Sequence, residues 1–162
     1  MKKIVFVRHA KSSWEFDITD INRPLKKRGI ADSDLVSRAF KILKFSPEIV
    51  FSSSARRALE TCEIFVNNLN ISEDYIKIED QLYDFGGNKV INFIKALDNC
   101  YNNIMIFGHN HALTSIVNTY GNIYVDNLPT CGLVIIEFDI DCWNELKQGE
   151  TLKMIFPRDL KD

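Results

Sequence analysis

Lys3-Ile-Val-Phe-Val-Arg-His9 decides how this chain is read. Residues 4–7 form an unbroken, β-favouring apolar run, and such a run suits a strand buried on both faces, as in a parallel sheet. It stops abruptly at Arg8 and His9, so two polar side chains stand where the strand leaves the sheet. The pattern recurs. Glu48-Ile-Val-Phe51 runs into Ser52-Ser-Ser54, and Ile104-Met-Ile-Phe107 runs into Gly108-His109. Tyr75-Ile-Lys-Ile78 is a weaker strand.

Helical periodicity fills the intervals. From Gly29 to Leu43 the apolar pairs Leu35/Val36 and Ala39/Phe40 recur every three to four residues, and Pro47 ends the segment. Ala58, Cys62, Phe65 and Leu69, flanked by Leu59 and Val66, form a second stripe, for which Ser52, Ser53 and Ser54 offer N-caps. Val90, Ile94 and Leu97 mark a third helix from Asn88, and Ala112, Leu113, Ile116, Val117 and Tyr120 a fourth. Gly132–Phe138 and Leu152–Phe156 are strands with no helix between them, so one of them is expected to run antiparallel. The predicted fold class is α/β: a three-layer α/β/α sandwich around a mostly parallel sheet with one antiparallel strand. In such sheets ligands bind beyond the C-terminal strand ends. That rule points to Arg8-His9, to Ser52–Ser54, to the segment after residue 78, and to His109-Asn110.

Composition narrows the function. With 162 residues the chain is expected to form a single domain, 1–162. A formal net charge of -2 argues against nucleic-acid or anionic-membrane partners, which demand excess Lys and Arg. Arg8 and His9 cut the N-terminal apolar run too short for a signal peptide, and no stretch approaches the ~20 apolar residues of a membrane span, so a cytoplasmic location is predicted. Cys62, Cys100, Cys131 and Cys142 form no Cys-x-x-Cys pair, and three scattered histidines make no obvious cluster. No metal and no cofactor are expected, and the cysteines read as small thiols in a reducing compartment.

The rim has its own chemistry. His9 and His109 each follow a strand end, and Arg56-Arg57 open the helix after the serine cluster. Two imidazoles and two guanidiniums suit a dianionic phosphoryl group. Arginine matches phosphate oxygens bidentately, a helix N-terminus adds N–H donors, and neutral imidazole is a competent nucleophile.

Four segments in this order resemble the histidine phosphatase superfamily, the phosphoglycerate mutase-like proteins. Arg8-His9-Ala10-Lys11-Ser12 resembles the family's Arg-His-Gly signature, and Asp20-Ile-Asn-Arg23-Pro24-Leu25-Lys-Lys-Arg28-Gly29 its Asp-x-x-Arg-Pro-Leu loop. Ser53-Ser-Ala-Arg-Arg57-Ala-Leu-Glu60-Thr61 resembles the segment with a second phosphate-binding arginine, and Gly108-His109-Asn110 the one with a second histidine. Ala10 in place of glycine, with Pro129-Thr130-Cys131-Gly132 in the tail, is closest to the SixA-type phosphohistidine phosphatases. The resemblance implies that His9 is the phosphorylated nucleophile and that Arg8, Arg57 and His109 complete the phosphate pocket. The resemblance prefers Arg57 to Arg56 because Arg57 stands four before Thr61, where the family's arginine stands. Asp84 is the available candidate for a general acid.

Other residues near these motifs read as structural. Arg23 and Arg28 pin the long loop, Trp14 and Phe16 anchor it or else form an apolar wall by the pocket, and His111 is structural or exposed. Lys11 and Thr130 stand close enough in sequence to approach the rim, and Cys131 lacks the Cys-x5-Arg surroundings of a thiol nucleophile. The expected activity is a metal-independent phosphohydrolase acting on a phosphorylated protein (phosphohistidine) or a small phosphoester. The rivals are a phosphoglycerate or phosphosugar mutase and a non-catalytic phosphate-binding module.

Overall fold

A computed structural model describes residues 1–161. The strands are β1 (Lys2–Arg8), β2 (Ile49–Ser53), β3 (Ile76–Glu79), β4 (Asn103–Gly108), β5 (Leu133–Phe138) and β6 (Glu150–Ile155). The helices are α1 (Lys27–Lys41), α2 (Arg56–Asn68), α3 (Asn88–Lys95) and α4 (Ala112–Tyr120). One sheet orders the strands β3-β2-β4-β1-β5-β6. The first four strands pair in parallel, and β5 runs antiparallel to both β1 and β6. The antiparallel strand expected at the end of the chain is therefore β5.

Strand alternation sorts the core into two halves. Val5 and Val7 of β1, Val50 of β2 and Met105 and Phe107 of β4 pack beneath Val36 and Phe40 of α1 and Cys62, Phe65 and Val66 of α2. Ile4 and Phe6, Ile49 and Phe51, and Ile104 and Ile106 face the other way, onto Val90, Phe93 and Ile94 of α3 and Leu113, Ile116 and Val117 of α4. Every strand residue in this central group is needed on one face or the other, which is why the sequence shows runs and not alternation. Each such side chain contributes about 1.5–3 kcal/mol by leaving water. At the entry to β1, Lys2 is buried and donates to the main-chain oxygens of Asn99 and Tyr101 and to Asn102 Oδ1, at 2.8–2.9 Å.

One local expectation fails. The serines do not cap α2: its N-cap is Ala55, with no side-chain cap. β2 continues through Ser53, which pairs with Glu79 of β3, so the ladder claims these residues before the helix begins. The freed Ser53 hydroxyl serves the site instead.

The topology fixes where that site lies. β1 and β4 are neighbours, but β1 leads to α1 on one face and β4 leads to α4 on the other. Their outgoing chains part there, leaving a crevice at the C-terminal strand ends. No helix among the described residues is long and apolar enough to cross a membrane.

Candidate active site

Arg8 of β1 lies opposite Gly108 of β4, so the next residues, His9 and His109, leave the sheet side by side. The His9 N–H donates to Gly108 O at 3.0 Å, and the two ring centroids are 5.3 Å apart. The inward alternation of Val5 and Val7, and of Met105 and Phe107, carries both imidazoles toward the face covered by α2. There Arg57, 2% exposed, meets them: its Nε lies 3.4 Å from His9 Nε2 and its Nη2 3.4 Å from His109 Nδ1.

These contacts define the tautomers. A guanidinium only donates, so both nitrogens that face Arg57 carry lone pairs. His9 Nδ1 then holds the proton and donates to Ala10 O at 2.7 Å. His109 Nε2 holds the other and donates to Ser53 Oγ at 2.8 Å. His9 thus presents a bare Nε2, the atom a nucleophile needs.

The electrostatics keep both rings neutral. His9 is pushed from 6.5 down to about 3, first by burial; its bond to Ala10 opposes this, and the charges of Arg57, Arg8 and Arg23 reinforce it. His109 is pushed down to about 2 by burial, then by His9, Arg57 and Arg8, with Asp20 opposing. Each folded value lies below the unfolded one, so the unfolded chain binds more protons between pH 6.5 and about 3. Stability therefore rises with pH across that window and is lost as pH falls through it. Urea unfolding should show a midpoint that drops steadily below pH 6.5, and His9→Ala should make that drop shallower.

Arg8 lines the same cavity. Its Nη1 donates to Leu128 O at 2.8 Å, while its buried Nε has no partner and remains a donor for an incoming oxygen. The cavity has a volume of about 230 Å³, and Arg8, Lys11, Arg23 and Arg57 line it against one carboxylate, Asp20. A larger cavity of about 510 Å³ lies at the opposite strand ends, lined by Phe45, Leu69, Ile71 and Tyr75 with Lys41 and Lys44. It holds no histidine, arginine or carboxylate, so the chemistry belongs to the smaller one.

The structure brings Arg8, His9, Arg57 and His109 together and places Asp84 elsewhere. The Asp84 carboxylate accepts N–H bonds from Gly86, Gly87, Lys89 and Val90 at 3.0–3.2 Å. These bonds tie it to the first turn of α3, where unpaired helix donors need an acceptor. Arg56 points outward to Glu60 at 3.5 Å. Arg28 pairs with Asp32, and His111 is exposed. Arg23 does pin the loop, through Ser12 Oγ at 2.8 Å and Ser13 O at 3.3 Å. Trp14 and Phe16 do not anchor it: they are 76% and 55% exposed. Trp14 stacks on the Arg23 guanidinium at 3.5 Å and lines the cavity, as do Lys11 and Thr130. Cys131 is buried, its thiol pushed up to about 12 mainly by that burial. Its N–H instead braces the Arg8 and His9 carbonyls, at 3.1 and 3.0 Å.

Further residues hold the site together. Thr61 Oγ1 accepts the Ala10 N–H at 3.0 Å and donates to Arg57 O at 2.7 Å, tying the β1 exit to the first turn of α2. Glu60 Oε1 accepts the Leu25 N–H at 2.9 Å and holds the long loop against the same helix. Gly29 is required because a Cβ there would fall 2.2 Å from Lys11 O. Asp20 binds Arg57 and Arg23, and Tyr83 donates to it at 2.6 Å. Asp20, Glu60 and Thr61 all stand inside the sequence motifs, but their partners come from distant segments.

A phosphoglycerate mutase-like sandwich with paired imidazoles at its switch point defines a class of proteins that handle phosphoryl groups. The family model of the histidine phosphatase superfamily (branch 1) matches residues 4–89. This chain belongs to that superfamily. Over 61 residues, 37% of this chain, it is 38% identical to an uncharacterized chloroplastic protein of Arabidopsis thaliana, and the match spans 28% of that relative's length. A SixA structure from Agrobacterium tumefaciens superposes with a TM-score of 0.81 at 20% identity, covering 96% of this chain and 98% of that one. The protein histidine phosphatase SixA complexed with tungstate gives 0.80 at 20% identity, covering 98% and 99%. A mycobacterial glucosyl-3-phosphoglycerate phosphatase gives 0.66 at 9% identity, covering 94% and 97%. At these identities the superpositions establish the shared fold.

Proposed function

We propose that the protein hydrolyses phosphohistidine on another protein, through a covalent phosphohistidine of its own on His9. The observation that carries this reading is the bare Nε2 of His9, fixed by the Ala10 bond and facing a guanidinium-lined cavity. Nε2 attacks phosphorus in line while Arg8 and Arg57 hold the equatorial oxygens. An arriving dianion raises the proton affinity of His109, which then adds positive charge where the transition state needs it. The leaving group departs and water releases phosphate from His9.

Two features favour a protein phosphohistidine over a small ester. A cavity of about 230 Å³ accommodates a phosphoryl group but falls below the usual ~300–1,000 Å³ of small-ligand pockets. The leaving group then sits at the mouth, beside the exposed Trp14 and Phe85, where a carrier protein can remain outside. Asp20, the carboxylate in the cavity wall, is held ionised, its value lowered to about 2. Burial pulls that value upward, but the Tyr83 bond, the Arg57 charge and the bonds from Arg23 and Arg57 outweigh it. An alkoxide leaving group wants a proton from a neighbouring acid, whereas a protonated imidazole leaves without one. Hydrolysis, as opposed to mutase transfer, fits the segment between β3 and β4, which holds a short 3-10 turn and α3. A mutase must exclude water with a lid.

The test is direct competition between a phosphohistidine-bearing phosphotransfer domain and a panel of small phosphomonoesters. The expected result is kcat/KM at least about 100-fold higher for the protein, a difference of about 2.7 kcal/mol in transition-state binding. Comparable values for a small ester would make the protein a small phosphomonoesterase. Phosphate binding without release from any substrate would leave only a binding module.

A further inference from the structure

We infer that Asp20 is the positioning residue that aims Arg57 at the phosphoryl group and, through its charge, speeds the release of phosphate. The inference rests on the phosphatase reading above. Arg57 has two usable edges. The edge formed by Nε and Nη2 faces His9 and His109. The end formed by Nη1 and Nη2 is taken by Asp20, whose main-chain oxygen accepts from Nη1 at 2.8 Å and whose Oδ2 accepts from Nη2 at 3.1 Å. With its end clamped, the guanidinium can only offer its side to a ligand between the two imidazoles. That is the planar fork with which arginine binds two phosphoryl oxygens.

Asp20 is itself held from three directions. Tyr83, from the loop after β3, donates to Oδ2 at 2.6 Å. Arg23 Nε donates to Oδ1 at 3.1 Å, and Arg23 is tied back to Ser12 and stacked by Trp14. Arg57, from α2, supplies the third side. The carboxylate therefore joins the long β1–α1 loop, α2 and the loop after β3 at one point.

Its charge has a second effect. Asp20 is the one carboxylate among the residues that line the cavity. It sets a fixed negative charge against the bound dianion, weakening the hold of four cationic neighbours on the product. A site without it would bind phosphate more tightly and release it more slowly.

Asp20→Asn separates this role from a merely structural one. Turnover of a phosphohistidine-bearing phosphotransfer domain and of p-nitrophenyl phosphate by the unaltered protein is measured first, so that failure of the phosphatase reading shows there, as turnover of neither, before any variant is compared. Inorganic phosphate is then used as the probe, its inhibition constant measured beside kcat. In Asp20→Asn, kcat should fall by about 10²-fold from misaimed Arg57, while phosphate should bind about tenfold more tightly from the lost charge. Tyr83→Phe keeps the carboxylate and loosens one brace, so kcat should fall without tighter phosphate binding. Parallel weakening of kcat and phosphate binding in Asp20→Asn would overturn the inference. So would tighter phosphate binding in Tyr83→Phe.

Discussion

His9→Ala should leave a folded protein that binds phosphate and turns nothing over. The side chain makes two polar contacts, with Ala10 O and with Arg57 Nε, and neither ties two elements of the sheet together. Removing it relieves a buried imidazole that resists protonation, so thermal melting below pH 6.5 should improve relative to the unaltered protein. Turnover should fall at least about 10⁴-fold, since loss of the attacking atom removes the covalent step itself. Arg8 and Arg57 remain in the cavity wall, so inorganic phosphate should still bind, within about tenfold. Rapid quench after mixing with substrate should trap acid-labile, alkali-stable phosphate on the unaltered protein and none on the variant. If more than a few per cent of the turnover survives, His9 is not the nucleophile, and the next imidazole to consider is His109, with Nδ1 facing the same guanidinium.

The parts of this site that could be read from sequence are those fixed by one strand and its end. β1 and β4 are buried on both faces, so their apolar runs are unbroken and their polar termini stand out as Arg8-His9 and Gly108-His109. Their neighbourhood follows from the switch-point rule, without a contact map. Arg57 is legible through the family resemblance, by its place four before Thr61, and the structure puts Arg57, Ala58, Thr61 and Cys62 on the buried face while Arg56 points out to Glu60. What escaped were residues whose role depends on a partner far along the chain. Asp20 meets Arg57 and Tyr83, and Ser53 meets His109, and no periodicity encodes such pairs. Ser52–Ser54 misled because a serine before a helix resembles a cap, and only the pairing of β2 with β3 shows that Ser53 still belongs to the sheet. Asp84 misled in the reverse sense. A carboxylate beyond the third strand resembles an acid, but the four N–H groups at the start of α3 take it up.

Arg57→Lys and Arg57→Ala should separate geometry from charge at the centre of the site. Lysine keeps the positive charge but offers a point donor, and it cannot hold Asp20 with one end while presenting a fork to the phosphoryl group. Loss of kcat/KM by about 10²–10³-fold is expected for Arg57→Lys, the range seen when a transition-state oxyanion donor is removed. The pH profile of that variant should keep its shape, because a cation still faces both imidazoles. Arg57→Ala should do more. Burial is the main cause that lowers both histidines and the Arg57 charge a lesser one, so its loss raises His9 and His109 part of the way from about 3 and about 2. A protonated His9 has no lone pair to offer, so the acid limb of kcat/KM should lie at higher pH in Arg57→Ala than in the unaltered protein. The same substitution leaves Asp20 without its buried partner, and the loop from residue 12 to 25 should become more open to protease. If Arg57→Lys matches Arg57→Ala in rate and pH profile, the fork and the charge are not separable, and clamping by Asp20 cannot be what makes this guanidinium effective. If Arg57→Lys alone keeps the flat profile and still loses the rate, aim matters at this site independently of charge.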